Sequence, residues 1–203
     1  GETVQRPASP RLGFQRPSVP AAVRGPFIPA AIAGLAGFSV TGLFTSLVPA
    51  IMRQVMGHDQ GLMIGAVIFV LFLGSIFGQA WVRRIREAAQ MSVGCCILIL
   101  GVACLGLSIA SAQLWLLVLG GALSGIGQGL TFRAGMGAVA NAAPAGQKAG
   151  VTSALFIVYY VSMSLPVIAV GVSIPLFGLH HSAEFFSALV ALVAIVAMVS
   201  MNV

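Results

Sequence analysis

The sequence predicts an all-α, polytopic membrane protein with six transmembrane helices. Three observations lead there. Six apolar stretches of about twenty residues follow one another, each long enough for a hydrocarbon core of about 30 Å. Apolar residues make up 59% of the 203-residue chain and charged residues only 7%, far below the charge content of a water-soluble domain. All but one of the ten Lys and Arg fall on one side of the membrane that the stretches imply, as the positive-inside rule requires. The formal charge of +6 is thereby explained by topology, with no basic, aromatic-interleaved patch for nucleic acid.

Residues 1–28 come first, with half of the ten prolines and Arg6, Arg11, Arg16 and Arg24. Such a segment reads as an extended cytoplasmic tether ahead of a transmembrane domain over residues 29–203. It starts at Gly1 without an initiator Met and has no apolar core of a secretory signal, so the chain is expected to be part of a longer protein.

The predicted spans are Ala30 to Met52, Leu62 to Val82, Met91 to Ala112, Leu114 to Ala138, Val151 to Ile174 and Ser182 to Met201. Short loops between them predict that successive helices are antiparallel neighbours. One side receives Arg6, Arg11, Arg16, Arg24, Arg83, Arg84, Arg86, Lys148 and, at a helix end, Arg133. The other receives Arg53, His58, Asp59, His180, His181 and Glu184. Both termini are therefore expected in the cytoplasm, in a plasma or bacterial inner membrane.

A helical projection separates spans with a polar face from those without one. The first span gathers Phe38, Ser39, Thr41, Gly42, Thr45, Ser46 and Pro49 within about 160°, opposite a wholly apolar side of Ala36, Val40, Leu43, Leu47 and Ile51. The second aligns Phe72, Ser75 and Gln79. The fourth gathers Gly120, Gly121, Ser124, Gly127, Gln128, Thr131 and Gly135 within about 120°, and the fifth Thr152, Phe156, Tyr159, Met163 and Pro166 within about 80°. Spans three and six offer little beyond Cys, Ser and aliphatics. Residues proposed for a solute path are Phe38, Thr41, Thr45, Gln79, Ser124, Gln128, Phe156, Tyr159 and Met163.

Each of these has a plainer use. Small residues let membrane helices approach closely, so Gly120, Gly121 and Gly127 read first as packing positions. Gln128 needs a partner or water, which leaves cavity lining and an interhelical bond as equal alternatives. Tyr159 and Tyr160 lie too deep for an interfacial belt, making at least one a cavity candidate. Pro166 breaks the backbone ladder and is either a gating element or tolerated geometry. Arg133 is expected to snorkel to the headgroups, and Arg53 to anchor its helix end. Cys95, Cys96 and Cys104 share one span with neither zinc nor redox spacing, and the His180–His181 pair reads as solvated loop, so no metal or other cofactor is expected.

Three local features resemble the carboxy-terminal half of a major facilitator superfamily transporter, helices seven to twelve behind the central cytoplasmic loop. Glu2-Thr3-Val4 before the arginines is similar to the Pro-Glu-Thr ending of the family's sixth helix, with Gly1 in place of proline. Gly78 followed by Arg83, Arg84 and Arg86 resembles the second copy of the family's signature loop, although Val82 stands where aspartate is usual. Pro144 to Gly150, leading into Tyr159, Tyr160 and Pro166, is similar to the approach to helix eleven. The resemblance implies half of a twelve-helix fold, inverted three-helix repeats, and a path lined by helices seven, eight, ten and eleven. Between the implied repeats, Gly42-Leu43-Phe44 and Gly129-Leu130-Thr131 form a short echo no stronger than chance.

The expected function is alternating-access transport of a small organic solute by a permease that is not an enzyme. No carboxylate lies deep in a span, so a coupling acid would come from a missing amino-terminal half or from a second copy of the chain. The aromatic, hydroxyl and amide lining suits an uncharged or amphipathic compound, with proton-coupled efflux first and nutrient uptake second. Bilayer lipid and the solute are the remaining expected partners. Two other classes compete. A rhomboid-type serine protease would use Ser124, but Ala122 departs from its motif and the histidines precede the sixth span. A non-transporting scaffold would use the polar faces for assembly alone.

Overall fold

The computed structural model describes residues 18–144 and 146–200, which leaves the Glu2-Thr3-Val4 segment and Arg6, Arg11 and Arg16 outside the described residues. A single 3-10 turn, Ala21–Val23, leads into α1 (Arg24–Gln54). The others are α2 (Gly61–Trp81), α3 (Glu87–Ser111), α4 (Leu114–Ala142), α5 (Lys148–Phe177) and α6 (Leu179–Ser200), with a second 3-10 turn, Val82–Arg84, after α2. Among the described residues there is no strand. Six helices among the described residues are long and apolar enough to cross a membrane, and the chain is a membrane protein of all-α class.

Most helices overrun the predicted spans. Hydropathy detects the part that crosses hydrocarbon, whereas backbone hydrogen bonding continues into the headgroup region. The clearest correction is at the first: α1 begins at Arg24, so residues 24–28 belong to the helix and not to the tether. Pro26 falls in its first turn, where a backbone N–H has no intrahelical acceptor anyway, so proline costs little there. Val23, fully buried against Val139, Val151 and Leu155, pins that end to α4 and α5. The histidine pair likewise lies in the opening turn of α6, and not in a loop before it, while Glu184 stands near the helix start as expected. Gly57 after α1 and Gly178 between α5 and α6 take φ of 70° and 80°, a backbone that side chains other than glycine's resist.

The expectation that successive helices are neighbours holds most strongly for α3 with α4, but most of the other principal pairings join helices that are not consecutive. The strongest pairings are α3 with α4 and α2 with α4, followed by α1 with α4 and α1 with α5. α1 packs on α4, α5 and α6, while α4 packs on α1, α2 and α3. Exchanging α1 with α4, α2 with α5 and α3 with α6 maps one set of contacts onto the other. The small residues of α1 and α4 explain this, because they admit a neighbour's backbone wherever they face one.

The echo between Gly42 and Gly129 acquires a geometric counterpart. A Cβ at Gly42 would collide with the Met163 carbonyl of α5, and a Cβ at Gly129 with the Ser75 carbonyl of α2. Under the exchange of helices these are equivalent contacts. The apolar side of α1 behaves as its pattern predicts: Ala36, Val40, Leu43, Leu47 and Ile51 join α3 and α6 in one buried cluster with Leu98, Val102, Val190 and Ala194.

Candidate functional site

The polar side of α4 is a seam on three fronts. Toward α3, a Cβ at Gly120 would meet the Gly101 carbonyl at 3.0 Å, and one at Gly127 would meet the backbone of Gly94 and Leu98. Toward α1, a Cβ at Gly121 would strike the Phe44 ring; toward α2, Gly125 and Gly129 face the carbonyls of Leu71 and Ser75. Gly120, Gly121 and Gly127 are thus packing positions. Ser124 belongs to the same seam: it is fully buried, and a Cβ at Gly101 would collide with its hydroxyl. Among the described residues its Oγ has no hydrogen-bond partner. Ser124 stands apart from the other path candidates.

Gln128 makes the interhelical bond. Its Oε1 accepts from Ser75 Oγ of α2 at 2.6 Å, and Gln79 Nε2 donates to the same Ser75 Oγ at 3.3 Å. Polar chemistry therefore runs from half-buried Gln79 to buried Gln128 through one hydroxyl. The threonines are less outward-looking than their projection suggested. Thr41 Oγ1 donates to the Gly37 carbonyl, and Thr45 Oγ1 to the carbonyls of Thr41 and Gly42, all within α1. Thr41 is buried, while Thr45 and the neighbouring Ser46 reach the surface of this chain.

An aromatic cluster joins α1, α4 and α5. Phe38 stacks on Tyr159 at 4.6 Å between centroids and 10° between planes, and Phe132 sits 5.8 Å from Phe38 and 5.9 Å from Tyr159. Phe156 completes the group at 6.2 Å from both Phe132 and Tyr159. These separations suit edge-to-face and offset stacking. Tyr159 is the fully buried member, seated over Gly34, where any Cβ would collide with its ring, and donating its hydroxyl to the Ala30 carbonyl at 3.5 Å. It supports the cluster from behind and, within this chain, lines no open space. Phe38, Phe132 and Phe156 are half-buried and offer the accessible faces. Tyr160 is 64% exposed and touches the cluster only through Phe156.

Phe132 is not among the path residues that the sequence proposes, because the charge of Arg133 beside it is the more conspicuous feature. The available signal was its position four residues after Gln128, one turn along the same side of α4.

Pro166 has a partner for the defect that it makes. Its missing N–H removes the bond that the Ser162 carbonyl would accept within α5, and Ser39 Oγ of α1 donates to that carbonyl at 2.9 Å. With the Gly42–Met163 approach one turn further along α1, this makes the α1–α5 boundary both close and polar, beside half-buried Met163.

The two ends differ in charge. One carries Arg24, Arg83, Arg84, Arg86 and Lys148, and here Gln79, Ala80, Arg83 and Arg133 line a cleft of about 340 Å³. The opposite end carries Arg53, His58 and Asp59, and a cleft of about 810 Å³ between α5 and α6, lined by Ser173, Phe177, His181, Glu184 and Phe185 among others. No three His, Cys, Asp or Glu side chains gather to hold a metal ion among the described residues. Comparison with protein-family models and with curated proteins finds no match to this chain.

Proposed function

We propose that this chain is one half of an alternating-access transporter of the major facilitator type, and that it moves a small uncharged or amphipathic organic solute, most simply as proton-coupled efflux. The observation that carries this reading is the aromatic cluster. Half-buried Phe38, Phe132 and Phe156 gather at the α1–α4–α5 junction with Tyr159 buried among them, and among the described residues no charged side chain takes part in their ring contacts. Such a surface binds apolar and aromatic groups without demanding an anion or a cation. The helix exchange that relates α1–α3 to α4–α6 is the packing expected of two repeats around a midplane site.

The path candidates on accessible ground are Phe38, Thr45, Gln79, Phe156 and Met163, with Phe132 added. Thr41, Gln128 and Tyr159 hold them from behind. The basic end faces the cytoplasm, and with it both termini. The opposing wall of the path, and any coupling carboxylate, come from an amino-terminal six-helix half or a second copy of this chain.

Transport is tested in everted membrane vesicles by following a fluorescent amphipathic dye with and without a protonophore. Phe38→Ala with Phe156→Ala should slow protonophore-sensitive accumulation about tenfold, equivalent to about 1.4 kcal/mol, while the protein stays in the membrane at parental amounts. The reading is lost if vesicles containing the chain, alone or together with a six-helix partner, move no more dye than empty ones. Topology is checked separately with an impermeant maleimide on His58→Cys and Lys148→Cys. Labelling of both from the same side would remove the proposed orientation.

A further inference from the structure

We infer that the cleft between the basic ends of α2 and α4 is a binding site for a phosphate ester, held by Arg83 and Arg133 with Gln79 at its inner wall. The cleft shares Gln79 with the proposed path, and Arg133 follows Phe132 of the aromatic cluster along α4, yet phosphate binding there needs no solute transport.

Helix lengths explain why two arginines meet there. α4 continues to Ala142, nine residues past Arg133, or about 13 Å of rise. α2 ends at Trp81 and turns through Val82–Arg84. Arg133 therefore lies level with the end of α2 although it is well inside α4. At that level Gln79, Ala80 and the exposed Arg83 and Arg133 border an open cleft of about 340 Å³, and among the described residues no carboxylate lines it. Two guanidiniums that share a cleft repel each other, an arrangement that an anion between them relieves. Their planar donor forks suit a phosphate better than a point-like anion.

The surroundings make the cleft more than a solvated charge run. Gln79 is held by its bond to Ser75, which is itself locked to Gln128. Half-buried Gln79 is thereby tied to a buried pair. Arg133 also lines a second cleft of about 220 Å³ on its other flank, and there an acid, Glu87, is present together with Gln90, Met91 and Asn141. Arg84 and Arg86 are exposed beside the site, but do not line it. Trp81, partly exposed next to the cleft, is the kind of residue that settles at headgroup depth. Phosphate at this depth comes from an anionic phospholipid headgroup or from a soluble phosphate ester.

Native mass spectrometry of the detergent-purified protein separates these sources. Titrated phosphatidylglycerol should give a retained adduct exceeding that of phosphatidylcholine. Arg83→Gln with Arg133→Gln should lower its occupancy about tenfold or more, while Arg84→Gln with Arg86→Gln leaves it unchanged. Excess glycerol 3-phosphate assigns the site to a soluble ester if it displaces the lipid, and to a headgroup if it does not. Should the double variant fail to give a monodisperse protein, Gln79→Glu serves instead: a carboxylate set between the two arginines should exclude the adduct by a similar factor. Equal retention of the two lipids with no binding of glycerol 3-phosphate would overturn the site, as would equal loss in both arginine pairs.

Discussion

α4 and α5 are nearly the same length, 29 and 30 residues, and both are apolar, with mean hydropathies of 1.4 and 2.1 over their membrane-crossing stretches. Yet 61% of that stretch is buried in α4 and only 22% in α5. In water the more hydrophobic helix would be the buried one. In a bilayer lipid is as apolar as leucine, so hydrophobicity no longer sorts residues inward and the capacity for close approach does. α4 has glycine on the sides that meet α1, α2 and α3. α5 has Ile157, Val161, Leu165, Ile168 and Val172 on an outward face, each close to or above half exposed. The inner helix is the less hydrophobic of the two.

The sharpest test of that contrast lies within α5, where adjacent tyrosines have opposite fates. Tyr159 is fully buried against Gly34 and Phe38, and Tyr160 is 64% exposed. Replacing Tyr159 with Ala leaves a ring-sized void and is expected to cost about 3–5 kcal/mol. Tyr160→Ala should stay within about 0.5 kcal/mol. Denaturant titration in mild detergent, followed by circular dichroism, measures both. Equal costs would mean that burial in this bundle does not govern stability.

The next effect compares glycine with glycine. Gly129→Ala drives a methyl group into the Ser75 carbonyl of α2, whereas a Cβ at Gly171 of α5 meets nothing within 4 Å. The first should cost about 1–3 kcal/mol through overpacking. The second should gain up to about 1 kcal/mol, because alanine is the better helix former. Thermal unfolding monitored by gel filtration would show the two midpoints moving in opposite directions. A loss at Gly171 would instead point to a helix covering that face.

The sequence made these helices legible because apolar length is a strong signal, and it made the packing on α1 legible because Ala36, Val40, Leu43, Leu47 and Ile51 repeat at helical spacing. It could not say what a small polar face was for. Ser124 and Gln128 project on one side of α4, but one is sealed against Gly101 and the other bonds to Ser75. The choice depended on which helices came adjacent, and loop length pointed to the right one for α3 with α4 but not to α2 with α4 or α1 with α4. Phe132 joined the aromatic cluster for the same reason: a projection shows direction, not who stands opposite. The start of α1 was missed because its prolines resembled a linker, although Pro26 occupies the one turn where proline is harmless.

Smaller still is the effect of the bond that compensates Pro166. Ser39→Ala removes the hydroxyl that donates to the Ser162 carbonyl and should cost about 1 kcal/mol, since the carbonyl is left without a donor in a buried setting. Pro166→Ala restores an N–H at the right place in α5. In that background Ser39→Ala should cost only a few tenths of a kcal/mol, a difference read from a double-mutant cycle. Full additivity would show that Ser39 acts through packing alone, and that the α1–α5 boundary has no special dependence on the proline.

The smallest expected term is the Ser75–Gln128 bond. At 2.6 Å it is short, and it joins two buried groups. Even so, interhelical hydrogen bonds in membranes average only about 0.6 kcal/mol of coupling, because an unpaired group in the unfolded state finds other partners in the bilayer. A cycle built on Ser75→Ala and Gln128→Leu should return that value, with about 1.7 kcal/mol as the ceiling. Gln79 supplies the sharper reading: with Ser75 gone, its Nε2 loses its partner on the same helix. If the cycle is repeated in Gln79→Leu and the coupling does not change, Ser75 and Gln128 form an isolated clasp between α2 and α4. If it falls, the three groups act as one network, and the stiffness of the inner wall of the arginine cleft is set one turn deeper in the membrane.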